Sequence, residues 1–300
     1  MRRFQQIKSR ILCVAFAPDG RTLTAAAQRC GTLGMWELPG GKFRRWNPCA
    51  DTWVRCCAYS ADGVYLGVGD NGGMVLPFIR ARENYDSEFH AGNPFGDQVP
   101  IYGLVFSPGS TMAAVASIGV SLWDMTDDDS GCDFLPDSEL HIFGAVAWAP
   151  NGRTIAATNT DAQSVIVWKL NRQLKAKGKP LRLCSERRLS SVAFSPDSGT
   201  LSVAEANDIH LCTVGRTLQE RGILRGHSGK IHHLAFHPQE NVLVSAGADQ
   251  TVRFWDPVSG KQRACYDWGI GGVWCVGFAP DGMTCAAGGD GGVVVWDVDI

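Results

Sequence analysis

The chain has 300 residues, with 28 Lys and Arg against 30 Asp and Glu and a formal net charge of −2. It is 45% hydrophobic and 19% charged, which excludes a disordered or collagen-like chain and a uniformly basic nucleic-acid coat. No run of eighteen apolar residues is present, so the sequence predicts no membrane-spanning helix.

In chain order, the first segment places Arg2, Arg3, Lys8 and Arg10 ahead of the apolar run Ile11–Ala17. This has the outline of a short signal peptide, but the run holds only seven residues, and a repeat claims it for the fold. Val-Ala-Phe-Ala-Pro-Asp-Gly at 14–20 returns in variant form six times, with aromatic landmarks at Phe16, Tyr59, Phe106, Trp148, Phe194, Phe236 and Phe278. The spacings are 43, 47, 42, 46, 42 and 42, so seven copies fill the chain as one unit, 1–300. Each copy reads as an apolar strand ending on the aromatic, a turn (Pro-Asp-Gly in its fullest form), a strand of small residues, a second tight turn and a third strand. That third strand ends near Trp36, Trp123, Trp168, Trp255 or Trp296 in five copies.

A period in the low forties with Trp-Asp at 123–124, 255–256 and 296–297 resembles the WD-repeat β-propeller family along essentially the whole chain. The resemblance implies an all-β fold, a single seven-bladed β-propeller of four-stranded antiparallel blades. The last copy reaches Ile300 after its third strand, so residues near 3–9 are expected to supply the seventh blade's outer strand. Five residues before each landmark stand bulky apolar side chains, from Ile11 to Val273, and two before stand Val14, Cys57, Leu104, Val146, Val192, Leu234 and Val276. Three before, Cys13, Cys56 and Cys275 share a position with Gly103, Ala145, Ser191 and His233, and read as filler rather than ligands.

Eleven cysteines without a C-x-x-C pair argue against a zinc site and for reduced thiols in an intracellular, cytoplasmic protein. Neither metal nor cofactor is expected. His227, Ser245 and Asp249 have the composition of a nucleophilic triad. The family resemblance instead makes them, with Trp255, a structural hydrogen-bond network that only the sixth copy carries in full. The acidic run Asp127–Asp129 with Asp133 fails the D-x-D-x-D-G calcium pattern and reads as a solvated loop. Lys169–Arg188 holds eight cations in twenty residues, a candidate polyanion or nucleic-acid contact against a solvated-hairpin reading.

Partners of WD-repeat proteins often bind the top face, at fixed offsets from the inner strand. Four and six residues before the landmarks, these offsets hold Arg10, Trp53, Arg55, Tyr102, Arg188, Lys230, His232 and Trp274, and no carboxylate. Arg, Trp and Tyr are the types enriched at binding hot spots. The expectation is a non-catalytic scaffold, monomeric on its own, binding an acidic or phosphorylated protein or peptide there. Packing against neighbouring blades is the competing reading, above all for Trp53 and Trp274. The alternative is a propeller enzyme, hydrolase- or lactonase-like, at the axial channel; the inward offsets supply one His and no Asp or Glu for it.

Overall fold

A computed structural model describes residues 1–28, 31–49, 52–79, 99–109, 112–124, 132–138 and 141–299. The acidic run 127–129 and Cys30 lie outside the described residues. The chain forms a seven-bladed β-propeller of antiparallel sheets, with no helix among the described residues. Six blades have four described strands, and blade 2 has three, ending at Val75–Ile79. In blades 1 to 6 the strands follow sequence order outward from the inner strand, so the chain zigzags from axis to rim and crosses to the next blade.

Blade 7 breaks that order. Its outer strand is Arg2–Phe4, paired antiparallel with Gly292–Asp297 in the register Arg2–Val295, Arg3–Val294 and Phe4–Val293. The closing strand is shorter than the expected 3–9. After Phe4 the chain leaves the sheet edge and fills the seam between blades 7 and 1. There Phe4 lies 5.2 Å from Trp36, ring to ring. Ile7 is buried against Gly34, where an added Cβ would stand 2.2 Å from its Cδ1.

The apolar residues five before each landmark form a buried ring: Ile11, Val54, Ile101, Phe143, Ile231 and Val273 are 0% exposed and Leu189 5%. They share a face with the residues two before the landmark. In an unbroken strand a separation of three would put them on opposite faces. The reconciliation is a bulge. In six inner strands the register shifts just after this residue, as between Ile11 and Cys13, which pair with the adjacent Ala27 and Ala26. In blade 3 the Tyr102 N–H bonds the carbonyl of Ala116, the residue already paired with Gly103. The extra residue is the one four before the landmark. A bulge frees it from the ladder and re-aims its side chain.

Two ends of the ring follow from the topology. The Pro-Asp-Gly-type turns and the turns from third to outer strand lie on one end, here the underside. The turns from second to third strand and the crossovers between blades lie on the other, the upper face, where the bulged residues sit.

Candidate functional site

In blade 6 the Trp255 indole N–H donates to Ser245 Oγ (2.8 Å), and Ser245 Oγ lies 2.7 Å from His227 Nε2. His227 Nδ1 lies 2.9 Å from both Asp249 oxygens. A single proton assignment satisfies every atom: Trp255 to Ser245, the Ser245 hydroxyl to a neutral His227, and His227 Nδ1–H to the Asp249 carboxylate. Burial lowers the His227 pKa, against the Asp249 hydrogen bond, which keeps the ring neutral. Burial alone would raise Asp249, but hydrogen bonds from His227 and Thr251 hold its carboxyl below the usual range. The serine is wedged between an indole and an imidazole in a buried blade interior, and the group has the form of a fastener rather than an exposed nucleophile.

The offset residues occupy the upper face but do not form one continuous patch. In the first group Trp274 is sandwiched. The Arg10 guanidinium lies 4.0 Å over one side of its ring, and His232 stacks at 3.9 Å and 22°. Asp290, from the turn before the third strand of blade 7, accepts from Arg10 Nε (2.9 Å) and Trp274 Nε1 (3.0 Å). Burial, then Lys230 and Arg10, push His232 down to about 4, so it is uncharged at neutral pH. Two of the five basic or potentially basic offset residues are thereby spent. The offsets hold no carboxylate, but the upper face is not acid-free: Asp290 and the exposed Asp161, whose carboxylate accepts from the Ile142 N–H, both reach it from turns. The near neighbourhood of Arg10 is therefore not anion-seeking.

The second group is different. Trp53 is 44% exposed. Arg55, at the bulge, extends over Tyr102 of blade 3 with Cζ 4.9 Å from the ring centroid. Its Nε donates 2.7 Å to the neutral Asn71 side chain, and Asn71 N–H donates to the Trp53 carbonyl. Asp70 nearby is buried, and its carboxylate accepts from the Gly72 and Met74 N–H groups and the Thr52 hydroxyl. Arg55 is thus held in place with its charge unpaired by any carboxylate among the described residues. Lys230 and Arg188 are exposed on the same face and likewise carry no ion pair there.

The residues three before the landmarks face the seams between blades. Cys13 Sγ reaches the Cys57 carbonyl (3.4 Å), Cys275 Sγ the Ile11 carbonyl (3.7 Å), and Ser191 Oγ accepts from the Leu234 N–H (3.0 Å). The thiols thus bridge neighbouring inner strands, a sharper role than filler. Burial raises the pKa of Cys56, Cys275 and Cys285, keeping these thiols protonated and unreactive. Among the described residues no three His, Cys, Asp or Glu side chains are grouped to hold a metal ion. A groove of about 360 Å³ opens between blades 4 and 5, away from the axis, where His210 is held between Glu205 and Glu220.

The WD domain, G-beta repeat model matches residues 2–37, 218–256 and 266–297. The LEC14B protein of Lithospermum erythrorhizon is 30% identical over 261 residues, 84% of this chain and 47% of that protein. An uncharacterized WD repeat-containing protein of Synechocystis is 26% identical over 152 residues, 50% of this chain and 42% of the relative. Eukaryotic translation initiation factor 3 subunit I of Pyricularia oryzae is 32% identical over 123 residues, 38% of this chain and 35% of that subunit. The chain spans less than half the length of each of these relatives. The fold is one typical of protein-interaction scaffolds. With seven copies of the repeat, seven blades and the family model falling on the first and the last two, the chain belongs to the WD-repeat β-propeller family.

Proposed function

We propose that this propeller is a non-catalytic interaction scaffold that docks an acidic or phosphorylated segment of a protein partner on its upper face, at Trp53, Arg55 and Tyr102. One observation carries the reading. An exposed Trp stands beside an Arg that an aromatic ring and a neutral amide hold in position without neutralising it. Orienting a guanidinium before binding lowers the ordering cost, and its fork suits carboxylate or phosphate. Lys230 and Arg188 are separate exposed cations on other blades of the same face, whereas the Arg10–Trp274–His232 stack is a rigid support. The name of the initiation-factor relative makes it a subunit of an assembly, which supports a binding role. The unpaired, buried thiols suit the reducing cytoplasm.

The test is affinity capture with wild type and with Trp53→Ala/Arg55→Glu, alongside Trp274→Ala. The first variant is expected to lose the captured protein at an unchanged melting temperature, and Trp274→Ala to lose stability as well. Retention of the partner by the first variant would refute the assignment.

A further inference from the structure

The basic stretch Lys169–Arg188 does not act as one unit, because the fold divides it between the two ends of the ring. Arg187 and Arg188 follow the outer strand Leu181–Cys184 onto the upper face. Lys169 to Lys179 lie on the underside, between the third strand Ser164–Lys169 and that outer strand. The corresponding underside turns are short: 38–41 in blade 1, 215–217 in blade 5 and 257–260 in blade 6, against 170–180 here. The inserted residues fold back as a small hairpin. Leu170 bridges Ala176, and the N–H groups of Lys177 and Asn171 donate to the carbonyls of Lys169 (2.7 Å) and Lys175 (2.9 Å). Leu170, Leu174 and Ala176 turn inward onto the core between blades 3 and 4. The opposite face of the hairpin presents Lys169 directly across from Lys177, with Lys175 beside them, all exposed.

Like charges directly opposite on paired strands oppose folding, and a local rule broken without a compensating contact points to function. Lys169 gives its ammonium to the Gly215 carbonyl of blade 5, a neutral acceptor that leaves the charge intact. The adjoining turns add Arg216 and Arg153, and exposed Arg172 and Lys179 flank the hairpin. None of these cations pairs with a carboxylate among the described residues. The exposed large apolar side chains (Met1, Trp53, Val64, Phe134, Ile142, Val258 and Met283) all lie outside the hairpin and these turns. The patch therefore has no side chain to wedge into a lipid headgroup layer and no ring to stack on unpaired bases.

We propose that the underside of blades 4 and 5 is a second binding surface, which grips the phosphate backbone of duplex nucleic acid without reading its bases. The surface lies on the opposite end of the ring from Trp53 and Arg55, so the two could be engaged together. Binding by these seven cations would fall with salt with a log–log slope of about −6.3, about 6,000-fold between roughly 50 and 200 mM.

The experiment is fluorescence anisotropy with a labelled, short random-sequence DNA duplex across a salt series. Wild type is expected to bind at low salt with that slope and no sequence preference. Lys175→Gln/Lys177→Gln/Lys179→Gln should flatten the slope by about 2.7, and Arg216→Glu, on a different turn, should also weaken binding. Lys8→Gln/Lys42→Gln/Lys261→Gln, with the same loss of charge elsewhere, should bind as wild type does, as should Trp53→Ala/Arg55→Glu. Absence of duplex binding at low salt overturns the proposal, as does a slope unchanged in the first triple variant. Binding to phosphatidylserine–phosphatidylcholine vesicles without binding to the duplex overturns it in favour of a membrane surface.

Discussion

His227 shows how much a single buried side chain is asked to hold. It connects Asp249, on the turn, to Ser245, which in turn holds Trp255 in the neighbouring strand of blade 6, and its removal leaves the buried Ser245 hydroxyl without its acceptor and takes one donor from Asp249. His227→Ala is expected to cost about 1–3 kcal/mol, read as a lowered denaturation midpoint. Gly247→Ala should act through the same network, because a Cβ there would stand 2.6 Å from His227 Nδ1 and from Asp249 Oδ1. The two substitutions together should therefore cost less than their sum. At the stack on the upper face, His232 is held neutral, with its pKa pushed to about 4 by burial and by Lys230 and Arg10. The unfolded chain takes up a proton near pH 6.5 that the fold resists. This stability is complete above about pH 6.5 and declines as pH falls toward 4, with His227 and His233, also lowered by burial, contributing in the same direction. His232→Phe keeps a ring against Trp274 and removes the titration, so its urea midpoint should vary less between those pH values.

At the scale of elements, the inner strands show what was legible in the sequence and what was not. The seven landmarks and the buried ring from Ile11 to Val273 could be read from spacing alone, because burial imposes apolar residues wherever a strand faces its neighbour. Bulky residues two and five before the landmark are visible too, but an odd separation fits no regular strand, and only the register shift in the folded sheets supplies the bulge that explains it. It re-aims Arg55, His232 and Trp274, and so shapes the candidate site. Asp290 could not have been anticipated opposite Arg10, since 280 residues separate them and only ring closure makes them neighbours. The basic stretch misled for a related reason: contiguity in sequence concealed a split between two ends of a blade. In its hairpin the Lys169–Lys177 juxtaposition should cost about 0.2–1 kcal/mol. Lys177→Thr is accordingly expected to raise the denaturation midpoint slightly while weakening any anion binding.

For the whole molecule, the ring stands on its closure. The strand Arg2–Phe4 covers the edge of Gly292–Asp297, and Phe4 and Ile7 fill the seam that Trp36 would otherwise expose. Deleting residues 1–9 should lower the melting temperature clearly. Phe4→Ala alone should cost about 3 kcal/mol, as expected for emptying a buried aromatic site. A rigid closed ring presents two faces with different chemistry under a net charge of only −2. On the upper face stands an oriented Arg beside an exposed Trp, and on the underside a cluster of cations that pair with no carboxylate among the described residues. The most direct measurement is hydrogen–deuterium exchange of the propeller with and without its captured protein partner. Slowed exchange at residues 52–55, 71 and 102, with the underside hairpin 170–180 unchanged, is the predicted result. Protection confined to the underside, or to the rim groove between blades 4 and 5, would contradict a protein-docking upper face.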